Sequence, residues 1–446
     1  MTTRRAYLAW MAFALLAAIQ LPAQTTHQLT VAQASDFAKK NNVQVKNAIL
    51  NLRVQEQVNR GITSAALPNL SANANVTDNL KIATQLLPGE FFGQPPGSFV
   101  PVRFGTKYTA SAGLALNQLL FDGQVFIGLQ ARRTSLDFQQ KNIEVTEEII
   151  KKNIYKIYFQ LVVAKTQITL LDANIDRLNK LSFDTKEIFK NGFAEKLDVD
   201  KLDVQMANLQ TMKQKALTGI DGGYLGLKVL MGMPLKDSLV LTDSITDQKL
   251  KEGLLDEVKY EYANRKDFQY LTLAKSLREF NVRRYKLSYL PTLSFSANTS
   301  YNAQRSKFDF THKSGVWFPS TFISFRLNVP IFDGYAKAAS LQQARLELEQ
   351  SQNILDNQKL VIDNDVQQAQ LSYRTSISTI DFQKKNMVLA EQVYYQTKKK
   401  YESGLGSNTE ISAAQTELVQ AQTNYISALY DAIVAQVDYM AAIGKL

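Results

Sequence analysis

The side chains that most often carry chemistry are nearly missing from this chain of 446 residues, which has two histidines, His27 and His312, and no cysteine. Imidazole acid–base work has almost no material, and thiolate nucleophiles, thiolate metal sites, disulfides and a lipid-modified N-terminal cysteine are excluded. No P-loop, HExxH, GxSxG or EF-hand spacing occurs. Carboxylates remain, and four of them stand where a helix is expected to begin. Asp122 and Asp333 each occupy the middle of a Phe-Asp-Gly, in NQLLFDGQ and in NVPIFDGYA. An alternating run precedes each one and a long helical pattern follows. There an Asp side chain can accept the unpaired amides of a first helical turn, while Gly123 and Gly334 can take up the backbone angles of a sharp strand-to-helix change. Ser407-Asn408-Thr409-Glu410 has the spacing of a capping box, in which Glu410 reaches back to the cap. Asp198 sits in another first turn, where the helix dipole favours an acid. These residues read as structure; no enzyme, cofactor or metal site is expected.

The elements around them come in two copies. Leu67-Pro68-Asn69-Leu70 matches Leu290-Pro291-Thr292-Leu293, and Phe121-Asp122-Gly123 matches Phe332-Asp333-Gly334. Phe189-Lys190-Asn191-Gly192 matches Tyr401-Glu402-Ser403-Gly404, and Met231-Gly232 matches Ile443-Gly444. The last three pairs are 211, 212 and 212 positions apart, the first 223, so the halves share one plan and the first is longer between its Pro and Phe-Asp-Gly marks. Four landmarks in the same order mean duplication. Two structural repeats are expected, 24–234 and 235–446, each running helix, two strands, long helix, Gly turn, shorter helix.

Strands are expected at 69–80, 107–121, 292–304 and 319–332, because apolar and polar residues alternate there. Ile323, Phe325, Leu327, Val329 and Ile331 share one face, opposite Ser324, Arg326 and Asn328. About ten residues is the length of a tilted membrane strand, and equally of a strand in a soluble sandwich. Four strands cannot close a barrel, so the sheet must pack on something or pool strands from several chains. The segment 81–105, with Pro88, Gly89, Pro95, Pro96 and Pro101, reads as a loop without a regular ladder.

The helical patterns are coiled-coil seams. Ile143, Ile150, Ile157, Ala164, Leu171 and Leu178 stand seven apart, beside a second row of Ile154, Leu161, Ile168 and Ile175. Near the C-terminus the rows are Ile411, Leu418, Tyr425, Ala432, Tyr439 and Ala414, Ala421, Ala428, Ala435, Ala442. The alanine row allows a close helix approach. Between Gly123 and Gly192 no proline interrupts a stretch that, as helix, measures on the order of 100 Å. Such a helix belongs to a long bundle or tube.

The N-terminus has Arg4 and Arg5, apolar residues from Ala6 to Ile19, and small residues at Leu21-Pro22-Ala23. It reads as a signal peptide over 1–23, cut after Ala23 to within two residues. Thereafter no apolar run is long enough for a membrane helix. A soluble exported protein or a β-barrel remains. The formal charge of +10 is spread along helical stretches among acids, as on a solvated surface, and no nucleic-acid partner is expected.

Taken in order and in duplicate, these motifs resemble the TolC-like outer-membrane efflux protein family across essentially the whole mature chain. The resemblance implies an α+β membrane protein, a homotrimer giving a 12-stranded outer-membrane β-barrel with four strands per chain, continued by an α-helical coiled-coil tunnel through the periplasm. It implies a passive, gated exit duct of a tripartite efflux pump or type I secretion system, seated in outer-membrane lipid and docking with a periplasmic adaptor and an inner-membrane transporter. By the same resemblance Gly192, Phe193, Gly404 and Leu405 mark the adaptor-docking tips. Asp198, Tyr401 and Glu410 mark the pore gate, the two acids facing the tunnel and Tyr401 bracing the closed tip. Gly406 stands where better-known members carry a basic residue that ties the tip, which implies a different latch. The alternative from another class is a periplasmic coiled-coil scaffold or adaptor without a pore, in which the strands would form a buried core.

Overall fold

The computed structural model describes residues 26–244, 250, 260–312 and 315–446, so the expected signal peptide lies outside the described residues. The first half runs β1 (Thr26–Leu29), α1 (Val31–Asn41), α2 (Val43–Ser64), β2 (Asn69–Asp78), β3 (Thr84–Pro88), β4 (Phe99–Arg103), β5 (Tyr108–Phe121), α3 (Gly123–Lys190) and α4 (Lys196–Met231). The second half runs β6 (Ser238–Leu241), α5 (Lys266–Leu287), β7 (Thr292–Arg305), β8 (Phe318–Asn328), α6 (Ala336–Glu402) and α7 (Asn408–Ala442). The long helices have 68 and 67 residues and the helices after them 36 and 35, so the two halves repeat in length as well as in order.

Two compact units cut across these halves, each taking segments from both. The first unit, made of the described residues within 1–51, 139–270 and 355–446, holds the helical cores. The predicted seams are its interior: Ile150, Ile154, Leu161, Leu171 and Leu178 of α3 are buried, as are Ile411, Leu418, Ala432 and every residue of the alanine row on α7. A buried amide layer crosses the seam, where Asn174 donates to Gln422 at 2.6 Å and accepts from Gln415 at 3.1 Å. Polar contacts of this kind fix which layer of one helix meets which layer of another. A small parallel pair, β1 with β6, is also present. Tyr158 clasps it, its hydroxyl donating to the Leu29 carbonyl at 2.8 Å and accepting from the Thr242 and Asp243 amides. Four-residue strands are too short for alternation to reveal them, so no sequence pattern marks this pair.

The second unit, 52–138 and 271–354, carries an antiparallel sheet in the order β2-β5-β7-β8. β8 stops at Asn328, not at 332, because Val329 to Tyr335 turn before α6 with both Gly334 and Tyr335 at positive φ. The segment 81–105 is not the irregular loop expected. β3 and β4 pair in it, with Leu86 opposite Pro101 and Pro88 opposite Phe99. The ladder tolerates these prolines because Gly89 donates to Ser98, and alternation from that bond puts Pro88 and Pro101 at positions whose nitrogen faces away from the partner strand.

Candidate channel wall and tip

The register of the four-stranded sheet sorts its side chains onto two faces. One face runs Leu70, Leu116, Ala297 and Ile323 across the four strands, with Ala72–Leu114 and the pairs Phe295–Phe325 and Leu293–Leu327 beside it. The other carries Ser71, Asn73 and Asn75 of β2, Ser111 of β5, and Asn298, Ser300 and Asn302 of β7. A bulge at Leu120 shifts the register so that Phe121 lies opposite Leu293 and rejoins the apolar face. In one chain that face is bare: Leu114, Tyr301, Ile323, Phe325 and Leu327 are between 47% and 68% exposed. The outer edges of β2 and β8 pair with no strand among the described residues. A sheet with an exposed apolar face, a polar face and two open edges is a wall section of something larger.

Each strand-to-helix turn is built differently. Asp122 Oδ1 accepts from the Gln124 amide at 2.8 Å and caps α3. Gly123 is not at positive φ; its need is space, since a Cβ there would lie 2.7 Å from Leu287 Cβ and 3.0 Å from the Leu287 carbonyl oxygen. In the second copy Gly334 does sit at φ 65°. Asp333 accepts from the Lys337 amide at 3.1 Å and pairs with its ammonium at 2.9 Å, which holds the Asp333 carboxyl below its ordinary value.

The first unit contains the two Gly turns. Gly192 and Gly404 have φ of 81° and 75°. Phe193 N–H bonds Ile188 O and Gly192 N–H bonds Phe189 O; Leu405 to Lys400 and Gly404 to Tyr401 repeat the pattern. Both are Schellman closures, and both leave the next side chain out, Phe193 86% and Leu405 78% exposed. Gly406 is fixed by crowding: its amide also bonds Lys400 O, and a Cβ would stand 3.0 Å from the Tyr401 nitrogen.

The structure brings Asp198 and Glu410 to the starts of α4 and α7. Asp198 accepts from the Glu195 amide at 3.4 Å and stays partly exposed. Ser407 caps α7 through the Glu410 amide at 3.2 Å, yet the Glu410 carboxylate does not serve as the second half of a capping box: it lies 2.9 Å from Lys400 Nζ, across the turn. Tyr401 points within its own chain, its hydroxyl 3.1 Å from Thr185 Oγ1, between α6 and α3. The sequence reading passed over Asn408, Thr185 and Lys400. Asn408 stood inside the quoted capping sequence, but only burial reveals it as a tie between helices.

Comparison with known proteins agrees with this fold. Residues 261–445 match the family model described as outer membrane efflux protein. A solved structure of CusC superposes with a TM-score of 0.75 at 16% identity, covering 93% of this chain and 92% of that one. The fold is that of the TolC-like outer-membrane efflux proteins. Among curated relatives, the outer membrane efflux protein BepC of Brucella suis is 20% identical over 441 residues, 97% of this chain and 89% of BepC. The proteases secretion protein PrtF of Dickeya chrysanthemi is 21% identical over 250 residues, 55% of this chain and about half, 53%, of PrtF.

Proposed function

We propose that this chain is one third of a trimeric outer-membrane exit duct, a passive and gated channel for export. The observation that carries the reading is the amphipathic sheet with two open edges, whose strands β5 and β8 run out at the same end into helices of 68 and 67 residues. Three copies give twelve strands, enough to close a barrel with the apolar face to lipid and the Ser/Asn face to water. No helix of the described residues is long and apolar enough to cross a membrane; the element that meets lipid in this reading is the exposed apolar face of the sheet. The repeats 24–234 and 235–446 are each a strand-pair-and-helix-pair unit, and their pseudo-equivalence makes a trimer a ring of six similar staves. The turns at Gly192-Phe193 and Gly404-Leu405 offer an adaptor two exposed apolar tips per chain, and Asp198, Tyr401 and Glu410 line or brace the narrow end. An inner-membrane transporter supplies the energy. BepC and PrtF are named for efflux and for protease secretion, which supports a pump or a type I secretion system as the setting.

A scaffold without a pore would bury Ile323, Phe325 and Leu327 in a sandwich core, whereas they are 63% to 68% exposed. The test is fractionation with outer membranes, cross-linking to a trimer in detergent, and steps of ion conductance in planar bilayers. A stable monomer with intact β-structure and no conductance would overturn the proposal.

A further inference from the structure

Within the second unit, α2, α3 and α5 enclose a groove of about 470 Å³. Its lining is mixed: Ile62, Ile127, Phe138, Leu277 and Phe280 give it an apolar part, and Arg132, Arg278 and Arg284 line it together with polar side chains such as Gln55 and Asn281. The buried Asn59 staples α2 to α3 beneath it, donating to the Arg132 carbonyl at 2.9 Å and accepting from Ser135 at 3.1 Å. Arg132 is set in place by two bonds, to Leu129 O at 3.0 Å and to Thr63 Oγ1 at 2.6 Å. A guanidinium has five N–H donors, so Arg132 keeps others for a ligand. Arg278 pairs with Glu347 at 2.7 Å, and Arg284 lies over the Tyr285 ring, 4.9 Å from its centre.

The groove belongs to a basic belt. Residues 57–64, 123–138 and 274–287 together hold eight Lys or Arg and two acids, and each stretch ends or begins within four residues of a sheet strand. The helix dipole favours Arg284 and Lys286 in the last turn of α5, but Arg132 and Arg133 lie in the N-terminal part of α3, where the dipole gives them nothing. We propose that this groove holds the headgroup phosphate of an anionic phospholipid of the inner leaflet, with the upper acyl chain against its apolar wall. The inference rests on the outer-membrane reading above, which puts these helix ends at the level of the headgroups. Arginine forks match phosphate oxygens in pairs, and an apolar wall beside them suits a lipid better than a free ion.

The test uses the purified full-length protein in detergent, with phosphatidylglycerol or phosphatidylcholine added, read by native mass spectrometry. Wild type should retain phosphatidylglycerol over phosphatidylcholine. The pair Arg132→Gln and Arg284→Gln should lower that retention by about tenfold, as losing charge-assisted bonds implies. The pair Arg132→Lys and Arg284→Lys, which keeps the charge but not the fork, should retain an intermediate amount. Equal retention of the two lipids by wild type, or undiminished phosphatidylglycerol on the Gln pair, overturns the proposal. Displacement by excess inorganic phosphate would assign the site to free phosphate and also overturn it. Should the Gln pair misfold, Arg284→Gln alone is read in the same way, because that side chain is exposed. Failure of the duct reading shows separately, as absent conductance.

Discussion

The side-chain amide of Asn408 donates to the backbone carbonyl of Asp198 at 3.0 Å, tying the first turn of α7 to the first turn of α4. Asn408 is 6% exposed, and its carbonyl oxygen also accepts from Ser412 at 3.1 Å. Asn408→Ala therefore leaves a buried hydroxyl and a backbone carbonyl without their partner, a loss of about 1–3 kcal/mol. The midpoint of thermal unfolding should fall, and the two Gly turns, held less firmly, should give noisier and larger conductance steps in planar bilayers. Unchanged steps with a lowered midpoint would make the tie purely structural.

Much of this arrangement was legible in the sequence because periodicity reports burial. The seven-residue rows from Ile143 and Ile411 locate the seams, and alternation places β5 and β7 to within a residue or so at each end. What periodicity cannot report is which partner a polar side chain chooses. Glu410 fits a capping box by spacing, but Lys400 lies ten residues away across a turn, and its charge wins the carboxylate. The β3–β4 hairpin was lost for a related reason: prolines argue against a ladder only when their nitrogens face the partner, a question of register. The two Phe-Asp-Gly turns look alike in sequence yet need glycine for different reasons.

That difference predicts different outcomes for two alanine substitutions. Gly123→Ala drives a Cβ against the Leu287 Cβ and carbonyl, so it should cost about 1–3 kcal/mol as overpacking. Leu287→Ala should not rescue it, because both clashing atoms remain; Leu287→Gly should, in part. Gly334→Ala meets nothing within 4 Å and costs only the positive φ, about 1 kcal/mol. Thermal unfolding of the variants followed by circular dichroism checks the order.

Acid should weaken the first unit through Asp438. Burial alone would raise its carboxyl, but Lys152 and Lys156, 2.8 and 2.7 Å from Oδ1, outweigh burial and hold it below the ordinary 3.8. A depressed carboxyl adds stability that is complete above its unfolded value and is lost as pH falls through the folded one. The unfolding midpoint of wild type should thus drop below about pH 4. Asp438→Asn should lower it at neutral pH and flatten the acid limb. A parallel pH profile for the variant would contradict this.

The hairpin tip between β3 and β4, with Gly93 and Gly97 at positive φ and Pro95-Pro96 between them, joins β2 to β5 at the sheet end opposite α2 and α3. In an outer-membrane barrel whose helices enter the periplasm, that end faces outward. An epitope inserted after Gly93 should be labelled on intact cells. Labelling only after permeabilisation would reverse the topology.

The acids of the tip bear on ion selectivity. In the proposed trimer, three copies of Asp198 and Glu410 around the axis would concentrate cations in a narrow section. Lys400, 2.9 Å from Glu410, offsets part of that field. Lys400→Met should therefore raise cation selectivity, whereas Asp198→Ala with Glu410→Ala should lower it and widen the conductance. Both acids also serve their helices, but the exposed Lys400–Glu410 pair contributes only about 0–1 kcal/mol, and the Ser407 cap survives because it uses the Glu410 amide and not its side chain. The double variant should accordingly keep its trimer and most of its thermal stability. If selectivity is unchanged in both variants while the double variant melts early, the two carboxylates are helix-start residues and the gate lies elsewhere.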